Sequence, residues 1–245
     1  MTKSKFICCL VSIVVLICPA CRKQHKAYNH KTNTSVRISD KDISGCVADV
    51  SGHCKVVDYK HLADKGVVGI YIKATEGSNG KGSKNPLYKK QYAAAKKVGL
   101  KVGAYHYLKA SSAVTTQFEN FKSVAPKEDM DLIPMLDIED NFYKYWKDTS
   151  RTQDSIAKFI KLCKDYYGKA PIIYGTQRSY NTYCAPNFNN YHLMIGRYGN
   201  NSPQIVGRGR YTLWQFTDKY RTGEGHSGID ISRFNKGYTI KNIEL

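Results

Sequence analysis

The residues best suited to do chemistry are Asp137 and Glu139, which close the mostly apolar run Leu132-Ile133-Pro134-Met135-Leu136. Such a run reads as a buried strand, and strand side chains alternate faces, so Asp137 and Glu139 point the same way. Two like charges roughly 6 to 7 Å apart along a strand are a poor choice for stability. They suit acid chemistry, because each carboxylate raises the proton affinity of the other and lets one stay protonated near neutral pH. The plainer alternative is a strand end running into an acidic turn, which Asp140 continues.

Seven further apolar runs could position that pair. Together the segments 46–50, 67–73, 101–107, 132–138, 171–174, 192–195, 211–216 and 228–231 make about eight candidate strands. Amphipathic stretches separate them. Asn85-Pro86 predicts an N-cap and N1 proline for a helix that stops at Gly99. Ser150-Arg151-Thr152-Gln153 predicts a capping box, after which Ile156, Phe159, Ile160, Cys163 and Tyr167 recur at helical spacing up to Gly168. Strands alternating with helices predict an α/β domain with parallel pairing, and its closed form is a single irregular (β/α) barrel of the TIM-like type, with short later connections.

In such a barrel the polar strand endings share one rim. They are Asp49, Lys73 with Glu76, Tyr105-His106-Tyr107, Asp137 with Glu139, Tyr174, Arg197-Tyr198, Trp214-Gln215 and Asp230. Carboxylates beside aromatic rings describe a sugar site, where rings stack on pyranoside faces and carboxylates act on the glycosidic oxygen and C1. His106 between two tyrosines reads more naturally as a structural histidine, and Lys73 with Glu76 equally as a rim ion pair. Tyr143, Tyr145 and Tyr166 read as packing or surface residues.

Lys3 and Lys5, the apolar stretch 6–17 and Cys18-Pro19-Ala20-Cys21 have the layout of a secretory signal over residues 1–21, too short for a membrane span. Export is therefore expected, with lipid attachment at Cys21 or ordinary cleavage after Ala20. Residues 22–39, rich in Lys, Asn, Thr and Ser, read as a flexible tether, and residues 40–245 as one catalytic domain. Lys and Arg number 38 against 20 Asp and Glu, a formal charge of +18; six of those basic residues and no acid fall in the first 36 positions, so the remainder carries +12. A cationic exported protein is drawn to polyanions such as envelope polymers or acidic headgroups; no nucleic-acid module accompanies the charge. Cys46 and Cys54 would stand about 25 Å apart on an extended chain, unless a turn at Gly52 shortens it. Cys163 and Cys184 are the more plausible disulfide. No Cys-x-x-Cys or His-rich spacing points to a metal or other cofactor.

Taken in order, Asp49-Val50-Ser51, Tyr71-Ile72-Lys73-Ala74-Thr75-Glu76-Gly77, Gly103-Ala104-Tyr105-His106-Tyr107, Pro134-Met135-Leu136-Asp137-Ile138-Glu139, Pro171-Ile172-Ile173-Tyr174, Trp214-Gln215-Phe216 and Ile229-Asp230-Ile231 resemble the successive motifs of glycoside hydrolase family 25. The resemblance implies a lysozyme that cleaves the β-1,4 bond from N-acetylmuramic acid to N-acetylglucosamine in peptidoglycan with retention. It implies Glu139 as proton donor, Asp137 as the second carboxylate, Asp49 and Asp230 as further acids of the pocket, and Tyr105, Tyr174, Tyr198 and Trp214, with Gln215, as substrate-binding positions. Asp137 would either orient the substrate acetamido group or stabilise charge at C1. Three positions depart from the family pattern: Cys54 replaces a Gln, Met194 a Trp and Ser232 an Asn. Two other readings stay open: a glycan-binding lipoprotein of the same fold without turnover, and a chitinase-like N-acetylglucosaminidase. A monomer is expected, touching membrane only through an N-terminal lipid.

Overall fold

Alternation is the feature that sorts this chain into an inside and an outside. The computed structural model describes residues 38–139 and 149–245; the signal, Cys21, nearly all of the tether, Asp140, Tyr143 and Tyr145 lie outside them. Eight strands form: β1 (Val47–Val50), β2 (Gly69–Glu76), β3 (Lys101–Tyr107), β4 (Met135–Asp137), β5 (Ile172–Thr176), β6 (Leu193–Gly196), β7 (Leu213–Tyr220) and β8 (Ile229–Phe234). They close a barrel in chain order.

The strands from β1 to β7 pair in parallel, as expected. β8 does not: it runs antiparallel to β7 and to β1. Parallel strands need a crossover of roughly a dozen residues or more, and the connection 221–228 is too short, so the chain turns straight back.

Helices α1 (Tyr59–Asp64), α2 (Tyr88–Lys97), α3 (Val114–Lys122), α4 (Thr149–Tyr167) and α5 (Gln177–Tyr183) follow β1 to β5 in turn. Among the described residues none joins β6 to β7. The start of α2 differs from expectation. The Asn85 amide donates to the carbonyl of Lys73 and to Gln91 Oε1, and its Oδ1 accepts from Leu87 N–H, so Asn85 makes a turn ahead of the helix and Leu87 caps it. Ser150 is likewise not a cap, because α4 is already helical at Thr149; both residues are exposed, so no burial pins the boundary there. Gly99 and Gly168 end α2 and α4 at φ of 80° and 86°, values a side chain would resist.

Two apolar layers result. Val47, Tyr71, Met135, Ile172, Met194 and Leu213 fill the barrel. Their neighbours Ala48, Ile70, Ile72, Leu136, Ile173, Ile195 and Phe216 face outward and meet the helices. Cys46, Cys54, Cys163 and Cys184 are free thiols, so the Cys163–Cys184 pairing is not formed. Burial among apolar side chains pushes the thiol pKa of both residues up, which keeps them in the inert form. No described helix is long and apolar enough to cross a membrane.

Candidate active site

The inward side of the alternation turns polar at one mouth of the barrel. Val47 is followed inward by Asp49 at the end of β1, Met135 by Asp137 at the end of β4, and Glu139 comes two residues later. Asp230 reaches the same mouth by the opposite route: because β8 is reversed, its beginning lies there, and Asp230 is its second residue. The four carboxylates therefore converge, although the sequence reading places Asp230 at a strand end and the structure places it at a strand start.

Asp49 and Asp230 are register partners across the β1–β8 pair, and each carboxyl group acts on the proton affinity of the other. Burial raises the pKa of both; Gln215 tempers the rise at Asp49, whereas the facing charge of Asp49 raises Asp230 further. Raised proton affinity on both sides means that the pair, rather than either residue alone, retains a proton. Burial and the neighbouring Glu139 charge push Asp137 well above the ordinary carboxylate range, with Lys73 pulling the other way. Asp137 Oδ1 is buried and has no hydrogen-bond partner among the described residues. An unpaired carboxylate oxygen at the wall of a cleft is costly unless a ligand answers it.

A relay fixes Asp49. Tyr174 O–H donates to Gln215 Oε1 at 2.9 Å, and Gln215 Nε2 donates to Asp49 Oδ2 at 3.0 Å. Gly196 leaves room for it: an added Cβ would stand 3.0 Å from Tyr174 Oη and 3.1 Å from Gln215 Oε1. Tyr198, 55% exposed on the loop after β6, directs its hydroxyl to Asp230 Oδ1 at 3.5 Å.

Beside the carboxylates opens a cleft of about 440 Å³. Asp137, Glu139, Tyr105 and Tyr107 line one part; Lys73, Glu76 and Lys109 line another. Lys73 pairs with Glu76 at 2.7 Å and stands 5.0 Å over the Tyr107 ring, and Lys109 binds the other Glu76 oxygen. Lys73 and Glu76 are thus an ion pair as well as part of the cleft wall. Lys109 was not singled out by sequence. Its signal was spacing, since Tyr105, Tyr107 and Lys109 succeed one another by two along β3 and just past it.

Two sequence candidates fall elsewhere. Trp214 alternates with the inward Gln215, packs in the outer layer, donates its indole N–H to the Arg197 carbonyl at 2.7 Å and lies under the Arg233 guanidinium. It is not brought to the cleft, because the strand alternation that sends Gln215 in sends Trp214 out. His106 also faces outward, stacked on Phe159 with centroids 5.2 Å apart and bonded to Thr75 and Gln117. Burial pushes its pKa down to about 4, so it is a neutral structural histidine. Of the departures from the family pattern, Met194 fills the barrel interior, Ser232 leaves a buried hydroxyl unpaired among the described residues, and Cys54 places its thiol 3.6 Å from the Gly228 carbonyl.

A β/α barrel with four acids and several tyrosines at one mouth fits the class of glycoside hydrolases. The comparisons narrow it. Residues 48–225 match the model of glycosyl hydrolases family 25, and the chain belongs to that family. It is similar to a family 25 glycosyl hydrolase from Bacillus anthracis, with 26% identity, TM-score 0.70, and 78% of this chain and 89% of that one covered. A bacterial lysozyme from Streptomyces coelicolor superposes with TM-score 0.70 at 27% identity over 82% of this chain and 95% of that one. Lysozyme M1 of Streptomyces globisporus is 28% identical over 211 residues, covering 81% of this chain and 70% of its own length.

Proposed function

We propose that the protein is a muramidase that hydrolyses the β-1,4 bond between N-acetylmuramic acid and N-acetylglucosamine in peptidoglycan, with retention at C1. Glu139 protonates the leaving oxygen. Asp137 faces the positive charge that develops at C1 and holds the acetamido group beside it. Asp49 and Asp230, sharing a proton, shape the floor, while Tyr105, Tyr174 and Tyr198 present rings and hydroxyls to the sugar. The carrying observation is Asp137, a buried carboxylate with one oxygen unanswered at the cleft wall. A pure glycan binder gains nothing from acids crowded this way, since crowding raises their proton affinity without adding a contact.

Glu139 and Asp137 divide the work because they sit differently. Asp137 is 6% exposed, at the end of β4, whereas Glu139 lies one turn of the alternation further out, where a leaving group and then a water molecule have access. The same outward position allows Glu139 to act first as acid and then as base. We further propose that the chain is exported through residues 1–21 and held at the envelope by lipid on Cys21.

Digestion of purified peptidoglycan, with borohydride labelling of new reducing ends, tests the reading. New N-acetylmuramic acid ends support it. New N-acetylglucosamine ends, or faster turnover of chitin, would make the enzyme an N-acetylglucosaminidase, and binding without any new ends would leave a glycan-binding protein.

A further inference from the structure

At the mouth opposite the carboxylates, the starts of β6 and β7 and the end of β8 surround a second cavity of about 320 Å³. Its wall is basic, aromatic and amide-bearing: Arg208, Arg210, Tyr191, His192, Tyr238 and Asn189 contribute, and no carboxylate lines it among the described residues. Lys164 adds a further cation over the Tyr191 ring at 5.3 Å.

The loop that presents the two arginines is held firmly. Arg208 has φ of 61° and is the one non-glycine residue with positive φ among the described residues. Its flanking glycines tolerate no side chain: a Cβ on Gly207 would collide with Pro186, and one on Gly209 with Ile205 and Asn189. Asn189 Nδ2 donates to the carbonyls of Val206 at 2.8 Å and Gly207 at 3.1 Å. Tyr238 in turn steadies Arg210, whose guanidinium stands 5.7 Å from the ring centroid, while His192 meets the same ring edge-on. The result is two arginines, two residues apart and hence no more than about 7 Å between Cα atoms, with the Arg208 backbone set by its turn and the Arg210 guanidinium set beside the Tyr238 ring. Arg210 also donates to the Lys236 carbonyl at 3.4 Å, whereas Arg208 is exposed in a left-handed backbone conformation that a non-glycine residue adopts at a cost.

We propose that this cavity is a second, non-catalytic site for a phosphodiester-linked polyol or sugar chain. Each guanidinium fork fits a phosphate oxygen pair, the tyrosine and histidine faces suit the carbon skeleton between charges, and the asparagine amides suit its hydroxyls. The site would hold the protein on an anionic surface while the opposite mouth stays open. It does not rest on the reaction assigned to that mouth.

The test is titration of the full chain with poly(glycerol phosphate) at fixed salt, beside polygalacturonate as a carboxylate polyanion. Arg208→Gly suits the left-handed backbone, so combined with Arg210→Gln it removes both forks without asking the loop to refold. Binding of poly(glycerol phosphate) should weaken tenfold or more in that variant and the slope of log affinity against log salt should shallow by one or more. Lys89→Gln with Lys97→Gln, which removes equal charge from α2, should change affinity less than threefold. Equal weakening in both variants, no weakening in the arginine variant, or equal affinity for polygalacturonate each overturns the proposal. Arg208→Gly alone, with an unchanged thermal midpoint, decides the matter if the double variant does not fold.

Discussion

Asp49 and Asp230 stand directly opposite each other across the antiparallel pair of β1 and β8, each raising the proton affinity of the mouth they share. Like charges facing across two strands repel, so the pair persists only by holding a proton. That proton ties the reversed direction of β8 to the chemistry of the mouth: a parallel eighth strand would bring its end rather than its start to that mouth, and Asp230, its second residue, would leave the site. The mouth therefore carries fewer than four negative charges near neutral pH, and each remaining charge raises the proton affinity of the acids beside it.

Glu139→Gln keeps the side-chain shape and removes the acid. Turnover of peptidoglycan should fall by about 10² to 10⁴-fold, the usual contribution of general acid catalysis, with the thermal midpoint nearly unchanged. A loss under tenfold moves the proton donor elsewhere.

Asp137→Asn should lose activity and gain stability. The folded pKa of Asp137 is raised, so between about pH 4, where the unfolded carboxyl ionises, and the higher folded value, the unfolded state binds fewer protons and stability falls as pH rises. Asparagine escapes that penalty. Its thermal midpoint should exceed wild type at pH 8 and converge with wild type near pH 4. Midpoints that differ equally at both pH values would show that ionisation of Asp137 is not the cause.

The fold was legible to the extent that periodicity encodes it. All eight strands coincide with apolar runs, the α2 and α4 helices with amphipathic stretches stopped at Gly99 and Gly168 though not with the N-caps read ahead of them, and the inward acids follow from counting by two. What the count could not supply was direction. Nothing in Ile229-Asp230-Ile231 reveals that its strand runs backwards; that follows from the length of the connection before it. Nor does Trp214-Gln215 announce which residue faces in, because an aromatic ring suits either layer and only closure of the barrel assigns the faces. The Tyr174–Gln215–Asp49 relay joins three strands far apart in sequence and leaves no local signal.

Trp214→Phe should accordingly act on stability and not on catalysis. The indole bond to the Arg197 carbonyl disappears, costing on the order of 1 kcal/mol, while the ring remains in the outer layer. The ratio of kcat to KM should stay within threefold of wild type. A rise in KM of tenfold with unchanged stability would put the ring in a subsite after all.

Gly196→Ala probes the relay from behind. The new methyl would press on Tyr174 Oη and Gln215 Oε1, both at about 3 Å, while the backbone at Gly196 needs no positive φ. The relay must open and release Asp49, so kcat should fall roughly tenfold; small misplacements at a site can carry penalties up to about a hundredfold. Gln215→Leu should lower kcat at least as far, and adding Gly196→Ala to it should cost little more, because both act on one network. Additive losses would mean that Gly196 matters for another reason.

Cys21→Ser tests how the protein is held. If Cys21 carries acyl chains, each buried methylene contributes about 0.8 kcal/mol, and two or more chains give stable anchoring where one does not. No described helix could replace them as an anchor. Wild type should therefore fractionate with membranes and Cys21→Ser with the soluble material. The first described residue is 17 positions beyond Cys21, so hydrolysis of a soluble glycan should be the same for both. Wild type found in the soluble fraction, or a serine variant that stays on the membrane, would replace lipid attachment by cleavage after Ala20 and secretion, or by adsorption through the basic surface, which high salt would reverse.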